Sequence, residues 1–231
     1  CKQYGHSGGC RINLGIALEA VLFNGRKRMP GQAMSGELLG VETGDYRQFG
    51  SFDELMGAVR AQLAQQMREG HIASSWAEWV AARHFPLLLQ SLFTDGCIER
   101  GLPTTAGGAK INVGPGMIVC GGLATLADSL AAMKKLVFEE KKLSMDELVR
   151  AVDADFEGYE ALRRMLVNKA PKYGNDDDYV DDIARELFAF INAEAQRYVT
   201  PLGNRNIAST CAPMSNIVQG ARTWATPDGR K

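Results

Sequence analysis

The sequence predicts a helix-rich α/β chain with long ordered loops. Three observations carry that expectation. Apolar residues recur at helical spacing over several long stretches, most of them preceded by capping signals. Between those stretches lies one glycine-rich segment holding two short β-type runs. Neither an internal repeat nor a linker divides the 231 residues, a length that suits one large domain or two small ones.

The elements follow in chain order. "NLGIALEAVLFNG" places Leu14, Leu18, Val21 and Leu22 on one helical face, and Asn24-Gly25 supplies the stop. Residues 26–50 are rich in glycine and polar side chains and read as loop. "SFDE", Ser51 to Glu54, is a capping box. It opens a long helical stretch through Leu55, Val59, Leu63, Met67, Trp76 and Val80, with a break expected near Gly70. Pro86 then opens the apolar segment "PLLLQSLF".

Residues 101–122 hold seven glycines and two prolines around the runs Lys110 to Val113 and Met117 to Cys120. Such a segment turns tightly and lets backbone approach a ligand or another backbone. A helix follows through Leu123, Leu126, Leu130, Met133 and Val137. "SMDE", Ser144 to Glu147, caps another, and "NDDDY", Asn175 to Tyr179, starts a third with Val180, Ile183, Leu187, Ile191 and Ala195 inward. The tail, 199–231, reads as loop with strands at Ile207 to Cys211 and Ile217 to Gln219.

Composition excludes several functions. At 45 % hydrophobic and 23 % charged, the chain has the balance of a soluble globular protein. A net charge of -1 without a Lys/Arg stripe argues against nucleic acid or an anionic membrane as partner. No apolar run approaches the roughly 18 residues of a membrane helix, and no leader pattern is visible. The five cysteines are scattered and form no CxxC pair, so a reducing cytoplasm is expected rather than a disulfide scaffold. The chain opens on Cys1 inside a polar segment and closes inside the turn-like "TPDGRK", so the expectation is an internal piece of a longer protein.

Four features could carry chemistry, each with a plainer reading. The run "NDDDYVDD" lacks the spacing and glycine of a calcium loop and reads as a helix N-terminus. His6, His71 and His84 include no pair at metal-ligand spacing, so no metal site is expected. His6 shares a polar loop with Ser7, Cys10 and Arg11, which suits a pocket lining or a capped loop equally. "GGAKINVGPGMIVCGG" has neither GxxxxGK[ST] nor GxGxxG and is no phosphate loop, yet its glycines imply a demanding path that either lines a site or only turns. In "DGCIERG", Cys97 and Glu99 would suit a thiol and its acid. The same string precedes Gly101 and Pro103, the signals of a helix end with a packed cysteine. On residues alone both readings stand.

Taken in order, "GGAKINVGPG", "ADSLAAMKKLVFEEKKLSMDELVRAVDADFEGYEALRRML", "APKYGNDDDYVDDIA" and "TPDGRK" resemble the glycyl radical enzymes of the pyruvate formate-lyase type. The resemblance runs over nearly the whole chain. It implies that residues 1–231 are part of one ten-stranded α/β barrel domain, truncated at both ends. In that family a cysteine loop, usually G-C-x-E, meets a glycine loop, R-V-x-G-Y, inside the barrel. An S-adenosylmethionine/iron–sulfur activase takes a hydrogen from that glycine, the glycyl radical makes a thiyl radical, and the thiyl abstracts hydrogen from the substrate. The implied protein is cytoplasmic and anaerobic, a homodimer at full length, and carries no bound cofactor of its own.

The resemblance also bears on individual residues. The family's G-C-x-E lies upstream of the helix resembling "NLGIALEAVLFNG", whereas Cys97 and Glu99 lie downstream, so "GCIE" is implied to be a look-alike. Cys1 lacks a Glu two residues on, and R-V-x-G-Y is absent. The catalytic pair is thus implied to lie outside these residues. His6, Ser7 and Arg11 correspond to the stretch after the catalytic loop, where Arg11 would clamp a carboxylate or sulfonate. Asn112 and Pro115, in the "INVGPG" turn, would line the same cavity.

The first function implied is therefore radical dehydration, C–X or C–C cleavage, or decarboxylation of a small organic molecule, with Arg11 suiting an anionic one. The adjacent cysteines of pyruvate formate-lyase itself are missing, and "GVETGDYRQFGSFDELMGAV" resembles arylacetate decarboxylases. A second reading is a non-catalytic subunit or degenerate piece that packs against a partner chain. A third, a thiol- or metal-binding module on Cys97/Glu99 and His6/Cys10, has poor spacings.

Overall fold

The structure is a computed structural model and describes residues 9–26, 37–111, 117–210 and 216–231. The chain divides into two compact units. The first comprises Cys1–Ile12, Met67–Cys120 and Ile191–Cys211; the second comprises Asn13–Gln66, Gly121–Phe190 and Ala212–Lys231.

The first unit is built on a three-stranded sheet of β1 (Cys10–Asn13), β2 (Met117–Gly121) and β3 (Ile207–Thr210), in the order β1-β2-β3, the last residues of β1 and β2 belonging to the second unit. Strands β2 and β3 are parallel, with Val119 opposite Ser209. Parallel strands need long crossovers, and here some ninety residues, mostly helical, separate the two in sequence.

Helix α1 (Leu14–Leu22) follows β1 with no intervening residue, because Asn13 ends the strand and caps the helix. The predicted face of Leu14, Leu18, Val21 and Leu22 is buried, and left-handed Asn24 and Gly25 stop the helix as the sequence says. Helix α2 (Phe52–His84) is continuous through Gly70, so the expected break is absent. The reason is local. A Cβ at position 70 would sit 2.6 Å from the Cys10 sulfur, so glycine there admits the neighbouring thiol. Ser51 does cap α2, accepting from the Glu54 N–H at 3.3 Å. The box is not closed in the expected way: Glu54 accepts from the Gly50 N–H at 2.8 Å.

Two short helices, α3 (Leu88–Leu92) and α4 (Cys97–Arg100), follow. Helix α5 (Leu123–Met133) begins after Gly122, whose φ of +88° turns β2 into the helix in one residue. It widens into a π-helix over Lys134–Glu139. Helix α6 (Met145–Asp153) carries a complete Ser144/Glu147 capping box. Helix α7 (Glu160–Lys169) follows, with Leu166 buried. Helix α8 (Asp178–Ala195) starts as "NDDDY" predicts, with Asp177 accepting from the Tyr179 N–H at 3.0 Å. Val180, Ile183, Leu187, Ile191 and Ala195 are all buried along it. The expected strand at Ile217 to Gln219 is instead helix α9 (Asn216–Ala221). The strand expected over Lys110 to Val113 falls partly outside the described residues, and Lys110 and Ile111 are not in a strand.

In the second unit α1 packs against α5, with Leu18, Leu126, Leu130 and Met133 fully buried. Each such side chain contributes roughly 1.5–3 kcal/mol of transfer free energy.

Candidate functional site

His6, Ser7, Asn112 and Pro115, with Cys1, lie outside the described residues. Arg11 is described. It stands on β1 with its side chain exposed, while the next residue, Ile12, is buried. That alternation is the strand period, and it points the guanidinium away from the apolar packing. Cys10 is half-buried, and burial pushes its thiol above the ordinary range. Cys120 on β2 is pushed up to about 12, first by burial and then by the nearby Cys10. Neither sulfur is a thiolate near neutral pH, so neither has the electropositive setting of a nucleophile.

Cys97 and Glu99 do not converge. Cys97 opens the one-turn α4 and is buried, whereas Glu99 is exposed. Left-handed Gly96 and Gly101 bracket the turn. Gly96 is required, since a Cβ there would lie 2.5 Å from the Lys110 backbone nitrogen.

His71 is occupied by packing. Its ring stacks on Tyr198 at 4.9 Å, its Nδ1 lies 3.0 Å from the buried Asn206 amide, and burial lowers its pKa. His84 is exposed at the end of α2. Among the described residues no group of three or more His, Cys, Asp or Glu side chains is placed to hold a metal ion, and no helix is long and apolar enough to cross a membrane.

The second unit contains a cavity of about 620 Å³ that the sequence reading did not find. It opens where the first turns of α1 and α5 meet. A Cβ on Gly122 would lie 3.8 Å from the Gly15 nitrogen, so the two helix starts are close neighbours. Gly15, Gly121 and Gly122 keep the wall free of side chains, and Asn13, Gln219 and Thr223 edge it. Asn13 fixes this corner: its Oδ1 accepts from Gly15 N–H at 3.0 Å, and its Nδ2 donates to Thr223 Oγ1 at 2.8 Å and to the Gln219 carbonyl at 3.3 Å. Arg230 also lines the cavity, its guanidinium donating to the carbonyls of Gly220 at 2.7 Å and Thr223 at 2.9 Å. Among the described residues no acidic side chain lines it. Two helix N-termini, two basic residues and amide donors make its wall suited to oxygen-rich or anionic groups. The one local signal for it was Asn13 before an apolar helix; Gln219, Thr223 and Arg230 come from some two hundred residues away.

The chain matches a family model described as pyruvate formate lyase-like over residues 1–220. It is similar to trans-4-hydroxy-L-proline dehydratase of Clostridioides difficile, 38 % identical over 219 residues, which covers 95 % of this chain and 27 % of the dehydratase. It is also similar to isethionate sulfite-lyase of Bilophila wadsworthia, 38 % identical over 228 residues, covering 97 % of this chain and 26 % of the lyase. The glycerol-bound B12-independent glycerol dehydratase of Clostridium butyricum superposes with a TM-score of 0.87 at 32 % identity, covering 98 % of this chain and 28 % of that one. The chain thus spans about a quarter of the length of the curated relatives it matches.

Proposed function

Because the chain belongs to the pyruvate formate lyase-like family, we propose that it is part of the barrel of a glycyl radical enzyme that eliminates a group from a small anionic molecule. Its helix-flanked parallel strands are a segment of that family's α/β barrel. The observation that carries the activity is the similarity, over nearly all of this chain, to enzymes named for removing water or sulfite. Hydroxyproline carries a carboxylate and isethionate a sulfonate, and exposed Arg11 on β1 matches such a group by a bidentate guanidinium contact. His6, Ser7, Asn112 and Pro115 would complete that wall. The thiyl cysteine and radical glycine belong to other parts of a family-length chain. A radical-SAM activase installs the radical, and the full-length protein is a cytoplasmic homodimer organised as one barrel domain. The barrel's task is to exclude water and oxygen while the radicals exist.

The test uses the family-length protein encoded around this segment, activated without oxygen. The expected result is a glycyl doublet by electron paramagnetic resonance, with turnover retained in Cys97→Ala and the substrate KM raised at least tenfold in Arg11→Ala. Lost turnover in a folded Cys97→Ala variant makes Cys97 the thiyl residue, and an unchanged KM removes Arg11 from the site. The alternative, a non-catalytic piece that packs against a partner chain, is separated by the reading frame: an upstream G-C-x-E and a downstream R-V-x-G-Y mark the enzyme.

A further inference from the structure

The first unit buries a carboxylate that no side chain or backbone group satisfies. Glu78 on α2 is 8 % exposed, and neither of its carboxylate oxygens has a hydrogen-bond partner. Glu194, 6 % exposed, shows the contrast: one oxygen accepts from the Tyr198 hydroxyl at 2.8 Å and the other from Arg197 at 2.8 Å. A bare buried carboxylate is costly unless a proton or a positive charge meets it.

Two periodicities define its surroundings. Along the second half of α2, His71, Ser74, Ser75 and Glu78 recur at i, i+3, i+4 and i+7, while Ile72, Trp76 and Trp79 are exposed on another side. The polar stripe is thus the inward one. Against it lies a hairpin, closed by the Asn206 N–H on the Tyr198 carbonyl at 3.0 Å and the Thr200 N–H on the Asn204 carbonyl at 2.8 Å. Val199 and Arg205 pair across the hairpin and are exposed. Thr200 and Asn206, each one residue on, therefore face inward, and they are 6 and 0 % exposed. His71 joins the two faces. Its ring stacks on Tyr198, its Nδ1 accepts from the Asn206 amide at 3.0 Å, and Glu78 acts on it electrostatically. With Nδ2 committed to the ring, Asn206 Oδ1 is left buried without a partner, as is Thr200 Oγ1. No side-chain cation fills the gap. An imidazole that accepts at Nδ1 is neutral, Arg197 is held by Glu194, and Arg205 donates to the Gln196 carbonyl at 2.7 Å.

We propose that Glu78, Asn206 and Thr200 form a binding site for a monovalent metal cation, sodium or potassium. The unpartnered atoms are all hard oxygens, which suit such ions and not zinc or copper. One carboxylate among neutral oxygens balances a single positive charge, whereas oxygen sites for calcium gather several carboxylates. Because the carboxylate oxygens are sealed from solvent, the occupant is a small ion and not a partner's lysine or arginine. The site stands apart from the radical chemistry.

The test uses the family-length protein at constant pH and ionic strength in sodium, potassium or choline chloride, choline being too large for the site. In sodium or in potassium the amides of 71–78 and 198–206 should exchange about tenfold more slowly than in choline once the ion is at about ten times its dissociation constant. The effect should saturate with concentration. Glu78→Gln keeps the shape, drops the charge and should exchange alike in all three salts. Equal exchange of the native protein in the three salts overturns the proposal, and that comparison needs no variant to fold. A cation dependence that survives Glu78→Gln overturns it as well. So does protection that follows pH but ignores the cation, since Glu78 then carries a proton instead. None of these readouts needs a radical, so failure to detect a glycyl doublet leaves the test unaffected.

Discussion

Replacing Asn13 separates two contributions that meet at one side chain. Its Oδ1 caps α1 through the Gly15 N–H, and its Nδ2 ties that helix start to Thr223 and Gln219. Asn13→Ala removes both. A lost Asn cap costs about 1 kcal/mol. The two lost donations cost about 1 kcal/mol more and not twice that, because Thr223 Oγ1 and the Gln219 carbonyl keep their own hydrogen bond at 2.9 Å and neither is orphaned. The total is about 2 kcal/mol. Asn13→Ser keeps a capping oxygen and loses only the amide donors, so it should cost about 1 kcal/mol. Hydrogen exchange read at the α1 amides reports the difference locally. At 1.36 kcal/mol per decade, exchange should accelerate about 30-fold in the alanine variant and about 5-fold in the serine variant. Equal acceleration in the two would mean that the cap contributes nothing. Acceleration under about twofold in both would refute the assignment of this corner to Asn13.

Two further predictions test the second unit. Buried Gln62 mimics a strand partner, accepting from the Val41 N–H at 3.2 Å and donating to the Val41 carbonyl at 2.5 Å. Gln62→Leu strands both groups and should cost about 2 kcal/mol, a urea midpoint shift of about 1 M; an unmoved midpoint would show that water replaces the amide at no cost. The Asp146 carboxyl accepts from the Tyr46 hydroxyl at 3.0 Å and from Arg47 Nε at 3.1 Å, and these two groups, the tyrosine first, hold it below the usual carboxylate range. A depressed carboxyl stabilises the fold above its unfolded pKa, and that stability is lost as pH falls through the folded value. The midpoint gap between the native chain and Asp146→Asn should therefore be present at pH 7 and close below about pH 4; a gap of the same size at pH 3 would contradict the assignment.

The sequence disclosed the elements whose signals are local. The α8 face follows the 3.6-residue period because every residue of its apolar stripe is buried, and Ser144 and Glu147 satisfy each other without help from elsewhere. Gly70 misled because helix propensity prices glycine alone, at about 1 kcal/mol, whereas its value here is the room it leaves for Cys10. "NIVQG" misled because a short β-branched run has no period of its own, and its Ile217 and Val218 are exposed on a short helix. "PLLLQSLF" states that it must be covered but not by what. The cavity was invisible because its walls come from chain segments far apart, and four of the five substrate-facing candidates lie outside the described residues.

The string C-x-E shows why a motif needs its backbone. On an extended segment residues two apart share a face, so a thiol and its acid would stand together. On a helix, at 3.6 residues per turn, they point about 200° apart. Cys97 and Glu99 occupy a helical turn, so burying the thiol sends the carboxylate to solvent. To bring them together α4 would have to unwind. The turn is held at 3.1 Å by the Arg100 N–H on the Gly96 carbonyl and at 3.2 Å by the Leu102 N–H on Cys97, while Lys110 N–H closes the loop onto Asp95 at 2.7 Å. Arg100 also reaches forward to the Ala109 carbonyl at 2.9 Å. Unwinding α4 therefore breaks the loop around it, not one side-chain rotamer. Cys97 and Glu99 therefore do not form a thiol–acid pair on this backbone, and it is the backbone around such a string, more than the string, that identifies a working one.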